Sequence, residues 1–150
     1  MIKKEVTKRD MSVAKCVHKY LNTEKGFVGS RIRYIFSPSK VRNRGYTSES
    51  TKEEISKHFN EYVNEYGRNC FYCKEPWTYV VNFHTPGGKG RVKTKAKIYK
   101  KNFSIDRLDS SKTYSVSNII FCCVECNSSK KDVSIKLIKR LYEIITERKL

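Results

Sequence analysis

Residues 103–127 read FSIDRLDSSKTYSVSNIIFCCVECN, and this stretch decides the expected fold. Residues 103–108 alternate in the way a half-buried strand does, and residues 118–122 form a second strand-like run. Turn-forming residues lie between the two runs, and a short helix is expected from residue 123 to about residue 131. The stretch therefore predicts a β-hairpin followed by a helix, within a small domain of the α+β class.

Two pairs of cysteines flank this hairpin, and their spacing predicts a metal site. Cys70 and Cys73 form one CxxC turn, and Cys123 and Cys126 form another. Two such turns can present four thiolates to one Zn²⁺ ion at about 2.3 Å and complete its tetrahedral coordination. Residues 74–122 separate the pairs, so a sub-structure must be inserted between them. The alternatives are unrelated thiols or a single redox-active CxxC.

The two remaining cysteines are expected to be buried thiols. Cys122 could also approach a metal together with Cys126, but the CxxC spacing is the better geometric match, and Cys122 lies in the apolar second strand. Cys16 lies beside Val13 and Val17 on one helix face and is expected in the core. A zinc ion would contribute on the order of 10 kcal/mol to folding, which suits a chain with few apolar residues.

The charge of the chain favours a polyanionic partner. Its 150 residues include 32 Lys and Arg against 15 Asp and Glu, which gives a net charge of +17. This charge excludes a typical acidic-surfaced metabolic enzyme and favours nucleic acid as the partner. The basic residues are concentrated at 31–44 and 91–101, although Lys and Arg often simply solvate a surface. The candidate nucleic-acid contacts are Arg42, Arg44, Arg91, Lys93, Lys95, Lys97, Lys130 and Lys131.

The sequence contains no sign of a membrane or secretory destination. No stretch approaches the roughly 18 to 20 consecutive apolar residues of a membrane span. Residues 1–10 lack the apolar core of a signal peptide. We therefore expect a cytoplasmic or intracellular protein, located in the host cell if a phage encodes it.

Helices are predicted on both sides of the hairpin. Thr51 and Glu54 have capping-box spacing, and a periodic apolar face over 55–66 leads to Gly67, a typical helix terminator. Ser134 is expected to cap a last helix that belongs to the core or to a dimer seam. Its inward face would comprise Ile135, Ile138, Leu141, Tyr142 and Ile145.

Three further elements are expected earlier in the chain. Asp10 would cap a first helix that ends near Gly26. A broken basic helix is predicted over residues 27–45, and a short strand over residues 77–83, where β-branched and aromatic residues dominate.

The region from residue 70 to residue 131 resembles the HNH, or ββα-metal, endonucleases, in the subgroup whose zinc knuckles flank the nuclease hairpin. The resemblance rests on SIDRLD at 104–109, Tyr114, SNII at 117–120, CVECN at 123–127 and Lys130. An Asp-bearing strand, an Asn in mid-hairpin and a CxxCN that leads into a helix are together a specific combination.

The resemblance implies roles for individual residues. Asp106 matches the first-strand carboxylate that binds the catalytic Mg²⁺ or Mn²⁺, and Asn127 matches the helix residue that completes that metal site. Asn118 matches the central Asn, which braces the hairpin loop through backbone hydrogen bonds. The four cysteines of the two CxxC pairs match the ligands of the structural Zn²⁺.

One position departs from the usual family pattern. The residue after the metal-binding Asp is ordinarily a His that acts as general base, whereas here it is Arg107. A guanidinium cannot accept a proton, but it can grip the scissile phosphate or stabilise its developing charge. The Asp-Arg pair recurs in related nucleases, including a rare-cutting restriction enzyme. The candidates for the base are Tyr114, His84 and hydroxide supplied by the metal.

The expected function is therefore that of a metal-dependent DNA endonuclease of the phage, homing or restriction type. Residues 1–67 would form a basic helical extension and residues 68–150 a zinc-stapled ββα-metal core with a C-terminal helix, in one compact domain. Cleavage of both strands would favour a homodimer. The alternatives are a non-catalytic, zinc-finger-like nucleic-acid-binding protein, and a structure-specific nuclease that acts on branched DNA or on RNA.

Overall fold

The protein was analysed as a computed structural model that describes residues 8–37, 48–81 and 99–147. These ranges contain five helices and one two-stranded antiparallel sheet, so the predicted α+β class is confirmed. In chain order the elements are α1 (Lys8–Leu21), α2 (Glu24–Ile35), α3 (Lys52–Tyr66), β1 (Phe103–Arg107), β2 (Ile119–Cys123), α4 (Val124–Lys130) and α5 (Ile135–Glu147).

The hairpin and the helix after it follow the order predicted from the sequence. β1 and β2 are antiparallel, with Ile105 opposite Phe121 and Asp106 opposite Ile120. Each strand differs from its predicted range by one residue at one or both ends. β2 passes directly into α4 at Cys123, which is the last residue of the strand and the N-cap of the helix. The second cysteine pair therefore lies at the junction of strand and helix.

The main hydrophobic core lies between the hairpin and helices α2 and α3. The ring of Phe59 packs edge-on against Phe103 and Phe121, with centroid distances of 5.3 Å in both cases. Aromatic pairs in this arrangement stabilise beyond the area they bury. The buried cluster contains Phe27, Val28, Ile32, Ile35, Ile55, Phe59, Tyr62, Trp77, Phe103, Ile105, Ile119 and Phe121.

Helix α3 begins and ends as the sequence predicts. The Thr51 hydroxyl accepts a hydrogen bond from the Glu54 backbone N–H at 3.2 Å, and the Glu54 carboxylate accepts one from the Thr51 N–H at 2.7 Å. Gly67 follows the helix at a φ of 71°, a conformation that side chains with a Cβ rarely adopt. The helix thus leads the chain into the first CxxC turn in a defined direction.

The boundary between α1 and α2 differs from the prediction. Helix α1 ends at Leu21, and α2 begins at Glu24 with Thr23 as its N-cap. Gly26 lies in the first turn of α2 instead of ending α1. A Cβ atom at position 26 would collide with the backbone carbonyl of Tyr20, so glycine is required by the close approach of the two helices. The predicted break in the following segment, at 38–45, lies outside the described residues.

No regular strand is present in the described part of the predicted strand 77–83. Thr78 forms a single bridge with Asn102, and residues 82 and 83 lie outside the described ranges. The side chain of Asn102 replaces further strand pairing, because it accepts a hydrogen bond from the Val80 N–H at 2.9 Å and donates one to the Val80 carbonyl at 2.7 Å.

Two expectations about buried helix faces are wrong. Cys16 is exposed, and so are its neighbours Val13 and Val17, so this face of α1 is not part of the core. In α5, Leu141 is 47% exposed instead of facing inward. The side chains of Tyr142 and Ile145 lie outside what the structure describes. Within the described ranges, every helix is too short or too polar to cross a lipid bilayer.

Candidate metal centre and polar cleft

The two CxxC pairs come together in space. The Sγ atoms of Cys70, Cys73, Cys123 and Cys126 all lie within 4.8 Å of one another. Four sulfurs at about 2.3 Å from a zinc ion form a tetrahedron with edges of about 3.8 Å, so the cluster fits this ion with little rearrangement. The four cysteines could therefore hold a metal ion such as zinc, as the spacing predicts.

Backbone hydrogen bonds hold the two turns of the cluster together. The N–H of Cys123 donates to the Sγ of Cys70 at 3.3 Å, and the N–H of Phe71 donates to the carbonyl of Phe121 at 3.0 Å. The first turn is closed by Lys74, which has a φ of 62° and donates its N–H to the Cys70 carbonyl at 2.9 Å. An N–H donor stabilises a thiolate, which is the form that binds a metal.

Cys122 is fully buried and does not belong to the four-cysteine cluster. Burial raises the pKa of its thiol, and the nearby charge of Asp106 raises it further. The group is therefore held as a neutral thiol, which is a poor metal ligand. The expectation of a small buried thiol in the second strand is confirmed.

A polar cleft of about 270 Å³ is lined by residues of α2, β1, the hairpin loop and α4. Its lining includes five residues singled out from the sequence, namely Asp106, Arg107, Tyr114, Asn127 and Lys131. Strand β1 supplies the first two of these side chains and α4 supplies Asn127. Helix α2 forms the facing wall with Arg31, Tyr34 and Ile35.

Asp106 is the most constrained acidic group in the cleft. Its carboxylate is buried, and its Oδ2 accepts a hydrogen bond from the Tyr72 hydroxyl at 2.7 Å. The ammonium of Lys130 lies 3.3 Å from the same oxygen. Burial raises the pKa of Tyr72, and the hydrogen bond to Asp106 adds to this, so Tyr72 remains a neutral donor.

Lys130 does not occupy the surface position expected of a nucleic-acid contact. It is buried, and its ammonium also donates to the carbonyl of Arg107 at 2.9 Å. Lys131, in contrast, is exposed and lines the cleft. The end of α4 therefore places Lys130 inside the protein beside Asp106, whereas the next residue, Lys131, is exposed.

Arg107 is buried and held from two sides. Its Nη1 donates to the carbonyl of Lys112 at 2.7 Å, and its guanidinium carbon lies 5.2 Å from the ring centroid of Tyr114. The Tyr114 backbone is fixed in turn, because its carbonyl accepts hydrogen bonds from the Glu49 N–H and the Ser48 hydroxyl. The wall of the cleft therefore carries an ordered cation.

Two asparagines have distinct positions. The Nδ2 of Asn127 donates to the Ser104 hydroxyl at 2.8 Å and to the Ile105 carbonyl at 3.3 Å, which leaves its amide oxygen as the atom that could bind a cation. Asn118 does not line the cleft. Its side chain accepts a hydrogen bond from the Asp109 N–H and donates to the carbonyls of Asp109 and Thr113, so it braces the loop of the hairpin.

Tyr72, Arg31 and Tyr34 contribute to this region although the sequence analysis did not select them. Tyr72 reaches Asp106 across 34 residues of chain, and no local pattern signals such a contact. Its position within the first CxxC is the one available hint, since that turn must lie beside the hairpin. Arg31 and Tyr34 lie three residues apart, as expected for neighbours on one face of α2.

Other predicted site residues lie outside the described ranges, and their roles stay predictions. They are His84 and the basic residues Arg42, Arg44, Arg91, Lys93, Lys95 and Lys97.

No protein-family model matches the chain, and no curated protein or solved structure is significantly similar to it. The site must therefore be interpreted from its own chemistry. Asp106 and Asn127 offer one carboxylate and one amide oxygen at the same cleft. Mg²⁺ binds oxygen ligands and keeps several of its waters, so a site with two protein ligands is compatible with this ion.

Proposed function

We propose that this protein is a metal-dependent DNA endonuclease that hydrolyses phosphodiester bonds in the cleft beside β1 and α4. The observation that carries the proposal is the convergence of Asp106, Arg107 and Asn127 on one cleft, in a chain that also brings four cysteines together. The net charge of +17 supports a polyanionic substrate.

Two kinds of metal ion enter the proposal. A Zn²⁺ ion held by the four cysteines would be structural, because it would tie the segment after α3 to the junction of β2 and α4. Asp106 and Asn127 would hold Mg²⁺ or Mn²⁺. A divalent cation bound there would neutralise charge on the phosphate and stabilise the leaving oxygen.

The residues of the chain would act mainly by binding and orientation. Arg107 would donate two hydrogen bonds to the scissile phosphate. The Lys112 carbonyl and the Tyr114 ring already fix the orientation of its guanidinium. It would not accept a proton from water at any working pH. Tyr114 lines the same cleft, and it stays a candidate for the proton acceptor together with His84 and hydroxide supplied by the metal.

A second candidate function is that of a zinc-stabilised protein that binds nucleic acid without cutting it. The buried pair of Asp106 and Lys130 favours this alternative, because it gives Asp106 a structural partner that needs no divalent cation. The alternative predicts that DNA binding persists and that cleavage is absent under all conditions.

Cleavage of supercoiled plasmid with Mg²⁺ or Mn²⁺ tests the proposal. Zinc-loaded wild type is compared with Asp106→Asn and with Asp109→Asn, an identical chemical change three residues away on a side chain that does not line the cleft. We expect Asp106→Asn to lose about 100-fold or more of the cleavage rate, as when a group that stabilises the transition state is removed. Asp109→Asn should retain activity within a few-fold.

Equal cleavage by the two variants would contradict the assignment of Asp106 as a metal ligand. If wild type cuts no plasmid, branched DNA and RNA are tested next. Binding without cleavage of any of these substrates would leave the zinc-stabilised binding protein as the function.

A further inference from the structure

Lys130 and Asp106 form a buried ion pair beside the cleft. Their side chains are 3% and 6% exposed, and the ammonium lies 3.3 Å from Oδ2 of the carboxylate. A second contact fixes the ammonium, because it donates to the carbonyl of Arg107 at 2.9 Å. Lys130 is the last residue of α4, so the helix sets the position of its side chain.

The two oxygens of Asp106 have different surroundings. Both Tyr72 and Lys130 contact Oδ2. Oδ1 accepts no hydrogen bond from the described residues, and Asp106 lines the cleft. One oxygen is therefore held internally, and the other remains available to a cation that enters from the cleft.

The charge of Asp106 is already balanced without any divalent ion. Its carboxylate pairs with the ammonium of Lys130 at 3.3 Å, and both side chains are buried. Tyr72 is a neutral donor and adds no charge. Charges a few ångströms apart in a partly desolvated site interact far more strongly than in water. A divalent cation bound to Oδ1 would therefore be repelled by the ammonium of Lys130.

We propose that Lys130 is a positioning residue that lowers the affinity of Asp106 for divalent metal ions, because its ammonium competes with them for the carboxylate. This inference rests on the proposed function, since it requires Asp106 to bind a divalent cation. Lys130 keeps the carboxylate neutralised and oriented when no metal is bound, and it weakens the binding of a divalent cation that has few protein ligands and keeps most of its waters.

Direct Mn²⁺ binding tests the inference without any measurement of cleavage. Zinc-loaded wild type is titrated with Mn²⁺, and free Mn²⁺ is followed by electron paramagnetic resonance. Lys130→Met removes the charge and keeps the chain length, and Lys130→Gln also keeps a hydrogen-bond donor for the Arg107 carbonyl. Lys131→Met is the matched control, because it removes the same charge from the adjacent residue, which is exposed to solvent.

We expect both Lys130 variants to bind Mn²⁺ about tenfold more tightly than wild type, as removal of a like charge within about 4 to 6 Å allows. Lys131→Met should change the affinity by less than twofold. The melting temperatures should show the same order. Mn²⁺ stabilises the folded state by RT ln(1 + [Mn²⁺]/Kd), so a given Mn²⁺ concentration should raise the melting temperature of Lys130→Gln more than that of wild type.

Unchanged or weaker Mn²⁺ binding by a folded Lys130→Gln protein would overturn the inference, and so would an equal gain in Lys131→Met. The Asp106→Asn variant distinguishes a failure of the inference about Lys130 from a failure of the proposed function. If Asp106→Asn removes the Mn²⁺ binding seen in the other proteins, the metal site stands whatever Lys130 does. If Mn²⁺ binding nowhere depends on Asp106, the metal site and the inference about Lys130 both fail.

Discussion

Asn118 stabilises the connection between β1 and β2 through its side-chain amide. It is 7% exposed and makes three hydrogen bonds with the backbone of residues 109 and 113. Asn118→Ala should lower the free energy of unfolding by about 2 kcal/mol, because the loop amide and carbonyls lose partners in a poorly hydrated position. Urea unfolding of the zinc-loaded protein measures this change.

Ser117→Ala is the control for Asn118→Ala, since Ser117 is exposed and, among the described residues, its hydroxyl hydrogen-bonds to that of Ser115 alone. An exposed substitution of this kind should change stability by less than about 0.5 kcal/mol. A similar small effect of Asn118→Ala would show that water replaces the amide and that the loop does not depend on it.

The residues of the site divide into those that a local pattern reveals and those that it does not. The cysteine ligands follow from CxxC spacing, because a tight turn brings two thiols together wherever it lies. Tyr72 and Lys130 contact Asp106 across 34 and 24 residues, so their roles depend on the packed structure. Lys130 was expected at the surface, where lysines usually lie. Lys130 is buried instead, because its ammonium pairs with the buried carboxylate of Asp106.

The N-terminus of α3 offers a test at the level of a single element. Thr51→Ala removes one half of the capping box and should lower the free energy of unfolding by about 1 kcal/mol, because the Glu54 N–H loses its acceptor. Thr51→Ser keeps the hydroxyl and should retain stability to within about 0.5 kcal/mol of wild type. Thermal unfolding monitored by circular dichroism compares the two variants. Equal losses in both would assign the effect to the methyl group instead of the cap.

Elements were predictable where their own sequence carries start and stop signals. Helix α3 has a capping box, an apolar period and Gly67, and its observed bounds agree with these signals. Gly26 resembles a terminator in the sequence, but its role is to let α2 pass close to the carbonyl of Tyr20. The pattern at 77–83 is typical of a strand, yet strand formation also needs a partner, and Asn102 offers a single bridge. Periodicity in α5 predicts a helix without specifying what covers its face.

At the scale of the whole molecule, two features oppose the electrostatic self-repulsion of this strongly basic chain. A net charge of +17 favours expansion of the chain through self-repulsion. The aromatic core joins α2 and α3 to the hairpin, and the four-cysteine cluster joins the segment after α3 to the start of α4. A metal ion in that cluster would therefore connect parts of the chain that are distant in sequence, and it would also fix Tyr72 beside Asp106.

Zinc binding should require Cys123 but not the adjacent residue Cys122. Cys123→Ala removes one of the four clustered sulfurs, and we expect loss of stoichiometric zinc together with most of the stability that the metal supplies, on the order of 10 kcal/mol. Cys122→Ala removes a buried thiol outside the cluster, so zinc should be retained and stability should fall by a smaller cavity effect of about 1 kcal/mol.

Metal analysis of the purified proteins, followed by chelator titration, measures both effects. Wild type and Cys122→Ala should contain one zinc per chain and unfold when a chelator removes it, because a preformed site couples metal binding to folding. Zinc loss in Cys122→Ala with retention in Cys123→Ala would mean that the ligand set includes Cys122. Retention in both would mean that three sulfurs suffice and that the fourth position is open, as in metal sites that bind a substrate or water. The structure favours a closed site, because Cys70 and Cys123 are fully buried and share a hydrogen bond.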